Sequence, residues 1–193
     1  MAVSSKPIAL TLGFANFAGD TLEPLRSEDS ASLSPLFETV RQLPPGNLPD
    51  AHVLFVYADL DEDGSIAGSP GRGIRQVAEK SGAKIVVLAS PNPTNRIIRT
   101  GKLAGSYKAN FVFTLNRKGS GFARFFHSLF DDMRDGTNML SAWVKLAPQG
   151  GTRGGGSDWA PDTILAAEAG KVVFPHGRTG GGLFGLFGRG KRD

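Results

Sequence analysis

An unbroken apolar run, Val53, Leu54, Phe55, Val56 and Tyr57, opens directly into Asp59, Asp61 and Asp63, with Gly64 closing the stretch. Most of these apolar residues are β-branched or aromatic, which suits a pleated strand. A strand with one wet face alternates polar and apolar residues, and this one does not. It needs apolar cover on both sides, as a strand inside a parallel sheet has. The carboxylates then stand at the carboxyl end of that strand, where open α/β sheets take their ligands.

The neighbouring segments extend the same architecture. Residues 8–14 follow Pro7 as a first strand, residues 84–89 form a second continuous apolar strand, and residues 111–115 and 140–146 read as two more. Ser34-Pro35 and Ser69-Pro70 each look like a helix cap followed by proline in the first turn. They predict helices over 35–43 and 70–80, with Gly82 capping the second. Residues 15–32 are polar and rich in serine, and read as a loop. A short basic helix is expected from Thr94. Phe122, Phe125, Phe126, Leu129, Phe130 and Met133 recur at helical spacing and predict a core-facing helix over 121–135, closed by Gly136. Residues 163–167 and 171–174, joined by Glu168-Ala169-Gly170, predict a hairpin or an edge strand. Strands alternating with helices imply a three-layer α/β sandwich, with a mostly parallel central sheet of about five to six strands and a C-terminal hairpin. We expect one domain over 1–174 and a flexible, glycine-rich basic tail over 175–193.

Charge separates those two parts. The chain carries 22 basic and 18 acidic residues. Lys171, Arg178, Arg189, Lys191 and Arg192 face only Asp193 beyond residue 170, so residues 1–170 balance at 17 against 17. A neutral body argues against broad nucleic-acid binding. The absence of cysteine excludes disulfides, thiolate nucleophiles and Cys-ligated zinc. No apolar run reaches the roughly 18–20 residues of a membrane span. The N-terminal segment reads as a strand rather than a signal peptide, and a cytoplasmic location is expected.

The acidic stretch is the first candidate site. Asp59, Asp61 and Asp63 followed by Gly64 match the opening half of a calcium-binding loop, but the twelfth position is Pro70 where a bidentate Glu is needed. Mg²⁺ or Ca²⁺ is the candidate cofactor; a plain solvated turn is the competing reading. An apolar strand ending in Asp-x-Asp also resembles the first motif of haloacid dehalogenase-like phosphatases. That resemblance implies a nucleophilic and a general-acid Asp around magnesium, Ser90 after the next strand, and Lys102 as the following cation. The motif set is incomplete, because Leu115-Asn116-Arg117 supplies no acids.

A second candidate is a phosphate site built from Gly71, Arg72, Gly73 and Ser90, since glycine-rich turns before a helix expose backbone N–H groups. It lacks the Lys-Ser/Thr of a P-loop. Arg96, Arg99, Lys102 and Lys108, with Arg117 and Lys118 after the next strand, would form a basic patch if those ends met. His52, His127 and His176 share no catalytic spacing. The order of an opening strand (IALTLGFAN), a helix and two buried strands is similar at fold level to caspase-like α/β domains. Without cysteine, that resemblance implies a non-catalytic relative.

The tail is the third candidate. Leu183, Phe184, Leu186 and Phe187 follow a glycine run and precede Arg189, Lys191 and Arg192. Large apolar side chains on a loose tether mark a contact, with a groove on a protein partner or an anionic membrane surface. The leading expectation is therefore a non-catalytic interaction or assembly module with a C-terminal docking peptide. The alternatives are a metal-dependent enzyme acting on a phosphorylated small molecule and a degenerate caspase-like domain.

Overall fold

The computed structural model describes residues 6–146 and 160–175. The strands are β1 (Ile8–Asn16), β2 (Phe37–Gln42), β3 (Val53–Tyr57), β4 (Ile85–Leu88), β5 (Asn110–Asn116) and β6 (Asp162–Ala167). The helices are α1 (Glu23–Leu33), α2 (Ile74–Ser81), α3 (Thr94–Lys102), α4 (Gly121–Arg134) and α5 (Met139–Leu146). All six strands form one sheet in the order β2-β1-β3-β4-β5-β6. The first five are parallel, and β6 pairs antiparallel to β5.

The central run behaves as its composition demands. Every residue of β3 and of β4 is buried. Val53 pairs with Leu12 on one side and Ile85 on the other, so both its edges are occupied. Phe55 and Tyr57 face a core that includes Leu33 of α1, the phenylalanines of α4 and Met139 and Ala142 of α5. Leu54 and Val56 face the opposite core with Ile74, Val77 and Ala78 of α2 and Ile97 of α3. Alternate residues of one strand thus serve two cores, which gives the three layers. Phe55 alone meets Phe122, Phe126 and Phe130 edge-on, with ring centroids 5.1–6.4 Å apart. The antiparallel C-terminal element is β6; after a turn at 168–169 the chain carries Phe174 back under Phe37 and Phe130.

Three segments correct the sequence expectation. Residues 15–32 contain α1, not only loop. Its inward positions set Asp29 and Ser30 between Leu25 and Leu33, so the apolar stripe that would announce it is interrupted. The segment expected as a helix over 35–43 makes one 3-10 turn at Ser34–Leu36 and continues as β2. Phe37 packs inward and Val40 lies partly against the same core, an i,i+3 spacing that imitates a helix. It goes with a shifted register between Ile8 and Thr11 on the neighbouring strand. Residues 140–146 belong to α5 instead of a strand. Met139, Ala142, Trp143 and Leu146 turn toward the core, the i, i+3, i+4, i+7 pattern of a helix. Helix α2 also begins later than expected, with Gly73 at its N-cap, while Gly82 caps it in the left-handed region as anticipated. Among the described residues no helix is long and apolar enough to cross a membrane.

Candidate functional site

The strand order reverses direction between β1 and β3. Chain leaving β1 goes outward to β2, and chain leaving β3 goes the other way to β4. Ligands of open α/β sheets bind at the carboxyl ends of the strands flanking such a point. Here the ends of β1 and β3 carry Asn16, Tyr57 and Ala58, Ser90 and Arg117 follow β4 and β5 on the same side of the sheet, and β3 runs on into the loop 58–73.

The polar side chains at this edge bind the scaffold to itself. Asn16, buried at the end of β1, donates from Nδ2 to the Gly19 carbonyl at 2.8 Å and to Glu23 at 3.1 Å, and accepts from the Ala18 N–H. Glu23 pairs with Arg26, which also reaches Gln42 on β2. The Arg26 hydrogen bond dominates in holding the Glu23 carboxyl at about 2, well below its usual value. One strand further, the Ser90 hydroxyl donates to the Ala58 carbonyl at 2.5 Å and accepts from the Ala58 N–H at 3.0 Å. Asn92 accepts from Leu60 N–H at 2.8 Å and donates to the carbonyls of Ala58 and Ser90. Ser90 and Asn92 therefore stitch the ends of β3 and β4 together.

Beneath them lies a buried ion pair. Arg117 grips Asp29 with two parallel bonds of 2.8 and 2.9 Å, donates to the Ala89 carbonyl at 3.1 Å, and lies 3.8 Å over the Phe122 ring. The Tyr57 hydroxyl donates to Asp29 at 2.8 Å. Burial first, and then the Asp29 charge, push the Tyr57 phenol well above its ordinary value, so it remains a donor. One carboxylate thus gathers α1, the end of β3 and the turn after β5.

The candidate residues fall into this frame as follows. Asp59, Asp61 and Asp63 are all exposed. Asp63 accepts from the Ser65 hydroxyl at 2.6 Å and the Ser65 N–H at 2.8 Å, and those bonds lower its pKa. It closes its own turn instead of facing Asp59 and Asp61. Among the described residues no group of three or more His, Asp or Glu is placed to hold a metal. The loop is a packed structure: Leu60 and Ile66 are buried and bridged to one another. Gly64 lies at φ +88 against α3, where a Cβ would fall 2.3 Å from Thr100 N. Arg96 donates to the Leu60 carbonyl at 2.7 Å, and Arg99 to that of Glu62.

The glycine-rich turn is closed in the same way. Gly73 N–H donates to Gln76 Oε1 at 2.9 Å and Ile74 N–H to Thr100 Oγ1 at 3.4 Å, so side chains already cap the start of α2. Gly71 is exposed in the left-handed region, and the Arg72 carbonyl accepts from Ile66 N–H. Ser90, the fourth member of the candidate phosphate site, is the buried stitch described above. The basic residues do not form one patch: Arg117 is buried, and Lys118 pairs with Asp162 at 3.2 Å. His52 Nδ1 accepts from Thr11 N–H at the opposite, amino end of the sheet, and His127 sits beside Asp131 on α4. His176, Leu183, Phe184, Leu186, Phe187, Arg189, Lys191 and Arg192 lie outside the described residues.

Sequence reasoning missed Asn16, Asp29 and Asn92. Asp29 stands in a serine-rich acidic stretch with nothing to mark it as inward, and Asn92 reads as part of a Pro-flanked break. The role of Asp29 shows only in its pairing with Arg117, 88 positions away, and that of Asn92 in its bonds to the end of β3. No protein-family model matches the chain, and no curated protein matches it.

Proposed function

We propose that this chain is a non-catalytic α/β interaction or assembly module whose C-terminal segment carries the partner contact. The observation behind this reading is how the carboxyl edge of the sheet is used. Tyr57, Ser90, Asn92 and Arg117 occupy the positions from which an α/β enzyme would reach its substrate, and each is bound into the framework. A hydroxyl that both donates to and accepts from Ala58 is not poised as a nucleophile. The net positive charge of the chain lies beyond residue 170, next to the Leu-Phe pairs of 183–187.

The test is a comparison of recruitment. The full chain is expected to retain a partner or an anionic vesicle that the chain truncated at residue 179 loses. Phe184→Ala with Phe187→Ala should reproduce the loss, and neutralising Arg189, Lys191 and Arg192 should weaken binding in a salt-dependent way. Equal retention by full and truncated chains would sink the tail as the contact. A second reading, a non-catalytic relative of caspase-like domains, draws support from the succession of β1, α1 and the two buried strands β3 and β4. It shares the absence of a thiol, and it too leaves binding as the activity.

A further inference from the structure

The sheet has two outer strands, and they differ in how they meet solvent. Unpaired strand edges are templates for another strand, and proteins blunt them with charge or proline. β2 is blunted: Glu38 and Arg41 are exposed along it. β6 is not. After Asp162 it reads Thr163, Ile164, Leu165, Ala166, Ala167, without charge or proline. Ile164 is 38 % exposed, on the face that carries Phe113. Among the described residues β6 is paired with β5 along one edge, and the other edge of β6 carries no strand.

We propose that two copies of this chain associate through β6, strand against antiparallel strand about a two-fold axis, giving one sheet continuous across both. The sequence of β6 is self-complementary in that arrangement. Centred on Leu165, the register sets Leu165 against its own copy, Ile164 against Ala166 and Thr163 against Ala167. The large side chain meets the small one twice, as an isologous contact requires. The strand ends also suit it. Asp162 of one copy comes opposite Glu168 of the other, and each is already neutralised within its own chain, by Lys118 and by Arg75. Two ion pairs meet there instead of two bare carboxylates. The contact uses no residue of the C-terminal segment, so it stands or falls separately from the tail.

The full chain is the material for the test. Sedimentation velocity over the micromolar range should show mass rising from 20.4 kDa toward twice that value. Ile164→Lys should weaken the association by about tenfold or more, because a charge on an edge strand opposes pairing, whereas Thr39→Lys on β2 should leave it unchanged. The chain has no cysteine, so Leu165→Cys provides a clean probe of register. Mild oxidation should link it into a covalent dimer, while Thr39→Cys should stay single. If Ile164→Lys fails to fold, the Leu165→Cys cross-link decides. A monomer at all concentrations overturns the proposal. So does a dimer that survives Ile164→Lys without Leu165→Cys cross-linking, and so does one that disappears when residues 180–193 are removed.

Discussion

Arg117 is held on four sides, by both Asp29 oxygens, the Ala89 carbonyl and the Phe122 ring. Such a pair contributes less through its own attraction than through what its loss would expose. Two charges taken out of water recover their desolvation only while both remain. Arg117→Ala and Asp29→Ala are each expected to destabilise the fold by about 3–5 kcal/mol in urea unfolding, since each strands the other charge. Replacing both by apolar residues of similar size should cost much less than the sum, because no unpaired charge is left. Tyr57→Phe removes one bond to a charged acceptor, worth about 1.5–3 kcal/mol. His52 supplies a pH dependence of known sign. Burial holds its pKa below the ordinary 6.5, and its Nδ1 accepts from the Thr11 N–H. A base depressed in the folded state favours folding fully above its unfolded pKa, and that contribution is lost as pH falls through the folded value. The melting temperature should therefore drop as pH is taken below 6.5, and His52→Gln should flatten that part of the profile.

At the scale of elements, Gly64 fixes how the acidic loop seats on α3. Its φ of +88 is strained for any other residue, and a Cβ would also strike the backbone of Arg99 and Thr100. Gly64→Ala should lower the melting temperature more than Gly68→Ala, which has a φ of +74 and open space around it. Hydrogen exchange should rise across 58–73 in the first variant and stay unchanged in the second. The same contrast between backbone and side-chain demands explains what could be read from sequence. β3, β4 and α4 were legible because one force dominates each: apolar burial on two faces, or on one helical stripe. α1 was not, because Asp29 and Ser30 interrupt the inner face it shares with Leu25 and Leu33, and the burial of Asp29 depends on Tyr57 and Arg117 far along the chain. β2 and α5 depart from the sequence expectation for a different reason. A short apolar pattern such as Leu36, Phe37, Val40 or residues 140–146 satisfies either period, and the neighbours it packs against decide between them.

At the scale of the whole molecule, the position of the acidic loop at the carboxyl end of the central strand was legible, but the direction of its carboxylates was not. Direction depends on Ser65 drawing Asp63 into a local turn and on Gly64 pressing the loop onto α3, contacts that spacing alone does not encode. This difference can be tested on the intact fold. A cation that binds only the folded state stabilises it by about 2.7 kcal/mol at a hundredfold excess over its Kd. In a domain of this size each kcal/mol moves the melting temperature by roughly 2–4 °C, so an occupied site would shift it by about 5–10 °C. With Asp59 and Asp61 exposed and Asp63 committed to Ser65, millimolar Mg²⁺ or Ca²⁺ is expected to shift it by less than about a degree. A shift of several degrees that Asp61→Asn abolishes would mean that the loop rearranges to gather its carboxylates. The metal-dependent reading would then displace the interaction module proposed above.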